Sequence, residues 1–168
     1  TIDGYVAGAA IERAVLPLIR AEHAESDAEY HYVDRRPLDG RLYGLRDAMR
    51  DTTDMLDAQE RHGEKIPLFV FVNAGATAES RDGFDLLDLY GAERVVIDGE
   101  HPDASMFDAA SAFVTPFRAG EYEDVSTTAL AANVAAHVNP DARDDLRHLP
   151  AVSYWRDAPS AYADLAAG

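Results

Sequence analysis

The chain has 168 residues, which is enough for one domain with a sizeable hydrophobic core. It carries 31 acidic and 15 basic residues, which gives a net charge of −16. This charge excludes a generally cationic surface of the kind that binds nucleic acid or an anionic membrane. Cysteine is absent, which excludes disulfides and Cys-ligated zinc, and no apolar stretch reaches the roughly 20 residues that a membrane helix needs.

The acidic excess has a distinct composition. Lys65 is the single lysine, and 20 of the acidic residues are Asp. At about 1 M salt the Debye length is near 3 Å, so the mutual repulsion of these carboxylates would be screened. The composition therefore indicates the cytoplasm of a salt-accumulating halophile. A moderately acidic protein of ordinary salt requirement is the alternative.

The first part of the chain predicts helices around one short strand. The Asp3-Gly4 turn leads into a helix over 5–20, and we expect a strand before Thr1 to have been cut away. A strand is predicted over 28–36. A helix over 42–62 follows, with four apolar residues at helical spacing on one face: Leu42, Leu45, Met49 and Leu56.

Two apolar runs form the predicted centre of a sheet. Residues 66–72 are continuously apolar, which is typical of a strand that is buried on both faces. Residues 94–98 form a second buried strand, and a helix over 80–90 links the two. We expect these strands to be adjacent and parallel, with a further strand at 112–116.

The last part of the chain is predicted to be helical. Ser126 is placed to cap a helix over 127–137, and a short helix is predicted over 141–148. A final helix is predicted over 158–167, beyond the single tryptophan, Trp155.

This alternation of strands and helices predicts an α/β fold, with a doubly wound, mostly parallel sheet and helices on both faces. We expect a single domain over 1–168 that is a fragment of a longer protein. In such folds the ligand binds at the carboxyl edge of the strands. Here that edge is formed by the Asp3-Gly4 turn, the Asn73-Ala-Gly75 turn and the loop over 98–103.

These strand ends resemble the motifs of the DHH phosphoesterase superfamily, and within it the RecJ-like single-strand exonucleases of archaea. Asp3-Gly4 is similar to the end of an Asp-x-Asp-Gly turn, and Asn73-Ala-Gly75 to an Asp-x-Gly turn. The segment from Asp98 to His101 is similar to the Asp-His-His motif. A weaker match ends at Asp157, and together the matches cover essentially the whole chain in order.

The resemblance implies a site with two divalent metals, Mn²⁺ or Mg²⁺, which activate a water and bind a phosphodiester. It places the metal ligands at Asp3, Asn73, Asp98, His101 and Asp157. It places the catalytic roles at Asp3, Asp98 and His101. The implied substrate is single-stranded nucleic acid or a small phosphodiester, and a replication or repair protein is the implied partner.

The chain departs from the family pattern at three positions. Asn73 stands where the family has Asp, and Gly99-Glu100 stands where it has His-His. Neutral Asn is a weaker bridging ligand, and glycine offers no side chain. Two hypotheses follow, namely a phosphoesterase with reduced catalysis and a non-catalytic RecJ-like scaffold. A Rossmann-like nucleotide-binding module is disfavoured because no strand is followed by Gly-x-Gly-x-x-Gly.

Several candidate residues also have simpler roles. Asp3 can be the N-cap of the first helix, and Asp157 that of the last. Asn73 can serve only the turn after its strand. Asp98 can support neighbouring ligands without binding metal, and the cluster of Glu100, His101 and Asp103 can be a solvated acidic loop.

Overall fold

A computed structural model describes residues 2–22, 35–63, 67–118 and 125–153. The chain forms two compact units, one from Thr1–Pro37 with Glu123–Gly168 and one from Leu38–Tyr122. Most of the predicted strand over 28–36, Trp155, Asp157 and the predicted helix over 158–167 lie outside the described residues. The helices and strands are α1 (Ile2–Glu22), α2 (Leu45–His62), β1 (Leu68–Val72), α3 (Arg81–Leu89), β2 (Glu93–Ile97), β3 (Ala112–Val114), α4 (Thr127–Val138), α5 (Arg143–Leu146) and α6 (Leu149–Ser153).

The Leu38–Tyr122 unit contains a parallel sheet with the strand order β1-β2-β3. Val70 is paired with Val95, and Val95 with Ala112, so the three strands run side by side in one register. Helix α3 links β1 to β2. The α/β class, the parallel sheet and the adjacency of the two apolar strands are therefore confirmed, with strand ends that differ from prediction by one or two residues.

One face of this sheet holds the core of the unit. Phe71, Val96 and Phe113 occupy paired positions on that face and pack against α2 and α3. The Tyr43 ring lies edge-on to Phe71 at 4.7 Å between centroids. The Tyr43 hydroxyl donates to Asp51, and burial, together with this carboxylate, raises the pKa of the phenol far above its usual value.

The buried face of α2 is not the face that carries the four apolar residues at helical spacing. Ala48, Thr52 and Met55 point into the core, whereas the four apolar residues predicted to share a face are all exposed. The prediction that β1 is buried on both faces is also wrong, since Leu68 and Val70 are exposed. Periodicity located both elements, but α2 has an apolar sector wider than the surface that covers it.

Two glycines allow close packing in this unit. A Cβ at Gly83 would lie 2.7 Å from the Tyr43 carbonyl oxygen, so only glycine lets α3 approach that backbone. Gly75 has a φ of +78°, and a Cβ there would lie 2.8 Å from the Phe84 ring. Both glycines therefore fix how α3 and the turn after β1 pack together.

In the other unit, α1 packs against α4. The small buried side chains Ala10, Ala14 and Ala135 pack together with Leu146. Asn139, which is buried at the end of α4, donates its side-chain amide to the Ala14 carbonyl at 3.0 Å. Among the described residues, none of the helices has the length and apolar character needed to cross a membrane.

Thr52 provides a test of the α2 packing. Its hydroxyl is buried and has no hydrogen-bond partner in the described part of the chain, which costs stability. We expect Thr52→Val to raise the free energy of unfolding by about 1 kcal/mol, measured by urea denaturation. The control is Thr53→Val, on the exposed side of α2, whose hydroxyl donates to the Met49 carbonyl at 2.8 Å. A loss of stability in Thr52→Val would contradict the buried orientation of this side chain.

Candidate functional site

The turn after β1 is built around Asn73 and Gly75. Asn73 is buried with a φ of +56°, a left-handed conformation that Asn tolerates better than most residues. Its backbone N–H donates to the Ile97 carbonyl at 2.9 Å, which continues the pairing with β2. The N–H of Gly75 donates to the Arg41 carbonyl at 3.0 Å. The turn therefore joins the end of β1 to the segment that carries Arg41.

Asp98 follows β2 directly at the same edge of the sheet. Its side chain is 0% exposed, and its backbone N–H donates to the Val114 carbonyl at 3.0 Å. Oδ1 also accepts from the Glu100 N–H at 2.9 Å, which closes a tight turn. The predicted juxtaposition of the Asn73 and Asp98 strand ends is thus present in the Leu38–Tyr122 unit.

The Asp98 carboxylate is bound by Arg41. Arg41 Nη2 donates to Oδ1 at 2.7 Å and to Oδ2 at 2.6 Å. Arg41 Nη1 forms an ion pair with Glu100. Because Asp98 is fully buried, the guanidinium offsets the negative charge of its carboxylate in the interior.

Arg41 is the site residue that sequence reasoning missed. It lies 57 positions before Asp98, in a loop with no strand end and no motif of its own. The one local signal is the Asp39-Gly40 turn, which predicts a loop and says nothing of the contact. The Gly75 N–H and the Arg41 carbonyl fix this loop against the turn after β1.

The side chains of His101 and Asp103 contact other groups of the Leu38–Tyr122 unit. The exposed His101 ring places Nδ1 3.0 Å from the Pro102 carbonyl and lies 4.7 Å from the Phe117 ring, between centroids. Asp103 Oδ2 accepts from the Ala78 N–H at 2.6 Å. The Asp103 N–H donates to the Ala76 carbonyl at 2.9 Å, so this residue ties its loop to the segment before α3.

Asp3 lies in the first turn of α1, in the other unit. Its carboxylate accepts from the Thr127 N–H at 3.2 Å and the Thr128 N–H at 3.1 Å. These donors belong to the first turn of α4, where an anionic side chain is stabilised by the helix dipole. Asp3 therefore caps a helix distant in sequence, and not its own helix as the simpler alternative predicted.

The fit of these residues to a divalent metal is poor. In the described ranges, no group of three His, Asp or Glu side chains is arranged to hold a metal ion. Both Asp98 oxygens face a guanidinium, Asn73 supplies only a neutral amide, and Gly99 supplies nothing. The predicted ligand Asp157 lies outside the described residues. The manganese or magnesium site implied by the motifs stays a prediction.

Comparisons with known proteins address the fold. No protein-family model matches the chain. The uncharacterized protein MJ1198 of Methanocaldococcus jannaschii is 31% identical over an alignment of 161 residues, and the match covers 92% of this chain and 21% of that protein. A solved structure described as "Member of s1p family of ribosomal proteins PF0399 DHH domain" is 33% identical, with a TM-score of 0.86, over 95% of this chain and 39% of that one.

The solved structure supports the resemblance to the DHH superfamily. The chain has the fold of a DHH domain. It spans well under half the length of both proteins to which it is similar.

Proposed function

We propose that this DHH-type domain is a non-catalytic scaffold module of a longer nucleic-acid-associated protein. The runner-up is a RecJ-like phosphoesterase that cleaves single-stranded nucleic acid or a small phosphodiester slowly. The two differ in whether the carboxyl edge of the sheet binds a divalent metal tightly enough to activate water.

The Arg41–Asp98 contact is the observation that carries this proposal. A divalent ion on Asp98 would have to displace the guanidinium from both carboxylate oxygens, or share the carboxylate with it. Two positive charges a few ångströms apart repel strongly beside a buried carboxylate. Arg41 thus supplies the positive charge that a metal would otherwise bring. A guanidinium, unlike a metal ion, cannot bind a water molecule and convert it into hydroxide.

The composition and the similar proteins favour a role through protein contacts. A net charge of −16 disfavours direct binding of nucleic acid by this domain. One similar protein is named as a member of a ribosomal protein family, and its DHH domain resembles this chain. We infer that other parts of a longer protein, or a replication or repair partner, contact the nucleic acid. The acidic composition favours a salt-rich archaeal cytoplasm as the setting.

The proposal is tested by Mn²⁺ titration and by cleavage assays on single-stranded DNA and RNA. We expect weak Mn²⁺ binding and little or no cleavage by the unaltered chain. The variant Asn73→Asp/Gly99→His/Glu100→His restores the family residues. Since single supporting changes at metal sites alter affinity by roughly 10–100-fold, we expect at least a tenfold gain in Mn²⁺ affinity.

A matched control shows whether a gain in Mn²⁺ affinity comes from the restored site or only from the two added histidines. Asp57→His/Leu89→His adds two histidines at exposed positions on two different helices, α2 and α3, and we expect it to leave Mn²⁺ affinity within about threefold. Strong Mn²⁺-dependent cleavage by the unaltered chain would overturn the scaffold proposal and favour the phosphoesterase.

A further inference from the structure

Helix α2 and the residues before it present an apolar surface that nothing in the described structure covers. Four side chains on it are between 42% and 58% exposed. We call this set the α2 stripe, and it consists of Leu42, Leu45, Met49 and Leu56. Single exposed apolar residues are ordinary, but a row of them along one helix marks an interaction surface.

The α2 stripe follows the helix axis. Leu45 lies about one turn before Met49, and Met49 about two turns before Leu56, at 3.6 residues per turn. The same spacing brings helices together side by side in bundles and coiled coils. The surface is therefore shaped for another helix.

Charges beside the stripe are arranged symmetrically. Arg46 precedes Thr53 by seven residues and Glu60 follows it by seven, and the helical period places both on the same flank of the stripe. Both are exposed. Neither forms an ion pair with the described residues. A positive and a negative side chain are thus available at equal distances from one central residue.

We propose that the α2 stripe is a homodimer interface in which α2 packs antiparallel to α2 of a second copy. A two-fold axis level with Thr53 would bring Met49 to within one residue's rise, about 1.5 Å, of the level of Leu56 of the second copy. The same operation would place Arg46 against Glu60 of the second copy, and the symmetry repeats both contacts. A second copy is thus complementary to the central part of the surface, through the apolar pair Met49 and Leu56 and the charged pair Arg46 and Glu60.

The size of the surface limits the affinity. Four half-exposed side chains provide less than the roughly 800 Å² per partner that stable complexes bury. We therefore expect a weak dimer, with a dissociation constant in the micromolar range or above. This inference is independent of any metal at the sheet edge, so the scaffold proposal can fail without affecting it.

Sedimentation velocity over a concentration series tests the dimer, in KCl at which the chain is folded. We expect Met49→Glu and Leu56→Glu to raise the dissociation constant at least tenfold, because each buries two like charges in the interface. The control is Leu89→Glu, at an exposed residue outside the stripe, which should dimerise like the unaltered chain. Circular dichroism confirms that each variant is folded.

A charge exchange makes the test specific to the antiparallel geometry. Arg46→Glu alone and Glu60→Arg alone should each weaken the dimer a few-fold, while the double exchange should restore it. A chain that stays monomeric up to roughly 0.5 mM would overturn the proposal. A dimer that survives Met49→Glu and Leu56→Glu would also overturn it, since another surface would then be responsible.

Discussion

Arg41→Met is expected to lower the free energy of unfolding by about 3–5 kcal/mol. The substitution keeps much of the apolar stem but removes the guanidinium that donates to both oxygens of the Asp98 carboxylate, and Asp98 is 0% exposed. An uncompensated buried charge is far more costly than the loss of a surface ion pair. Urea denaturation monitored by circular dichroism would measure the change.

A double-mutant cycle identifies the cause. If the loss comes from the buried carboxylate, Arg41→Met/Asp98→Asn should be more stable than Arg41→Met alone, because the second change removes the buried negative charge. The control is Arg50→Met, whose guanidinium pairs with Asp47 and Asp51 at a half-exposed position and should contribute less than about 1 kcal/mol. An Arg41→Met variant as stable as the Arg50→Met variant would contradict the role given to this contact.

The strand ends could be predicted from the sequence because their signals are local. Apolar runs terminated by Asn73 and Asp98 indicate where two strands stop, and parallel pairing brings such ends to one edge. The identity of the partner of Asp98 is not local. Arg41 reaches it through a loop that is held by Gly75, and no periodicity or spacing encodes that contact.

The orientation of α2 was beyond prediction for a related reason. Its apolar residues span both the sector that contacts the core and the exposed sector, so the pattern alone does not say which sector faces inward. Ala48 and Met55 face inward because Tyr43 and Phe71 fill the space beside them in the same core. Asp3 is comparable, since its role depends on α4, more than a hundred residues away.

The chain is expected to lose its structure as KCl falls below a few tenths molar. At low ionic strength the Debye length exceeds 10 Å, and the repulsion among 31 carboxylates, offset by only 15 cationic side chains, then acts across the whole surface. The unfolded chain relieves this repulsion because its charges lie farther apart. Thermal melts followed by circular dichroism across a KCl series would measure the effect.

A charge-reduced variant distinguishes general repulsion from specific ion binding. Asp39→Asn/Asp82→Asn/Asp144→Asn neutralises three exposed carboxylates and changes the net charge from −16 to −13. If repulsion governs stability, this variant should stay folded at lower KCl than the unaltered chain. This gain should outweigh the loss of two negative charges, at Asp82 and Asp144, that are favourable in the first turns of their helices. A melting temperature independent of KCl would contradict the halophilic interpretation. It would mean that the fold is stable without salt to screen the repulsion among the carboxylates.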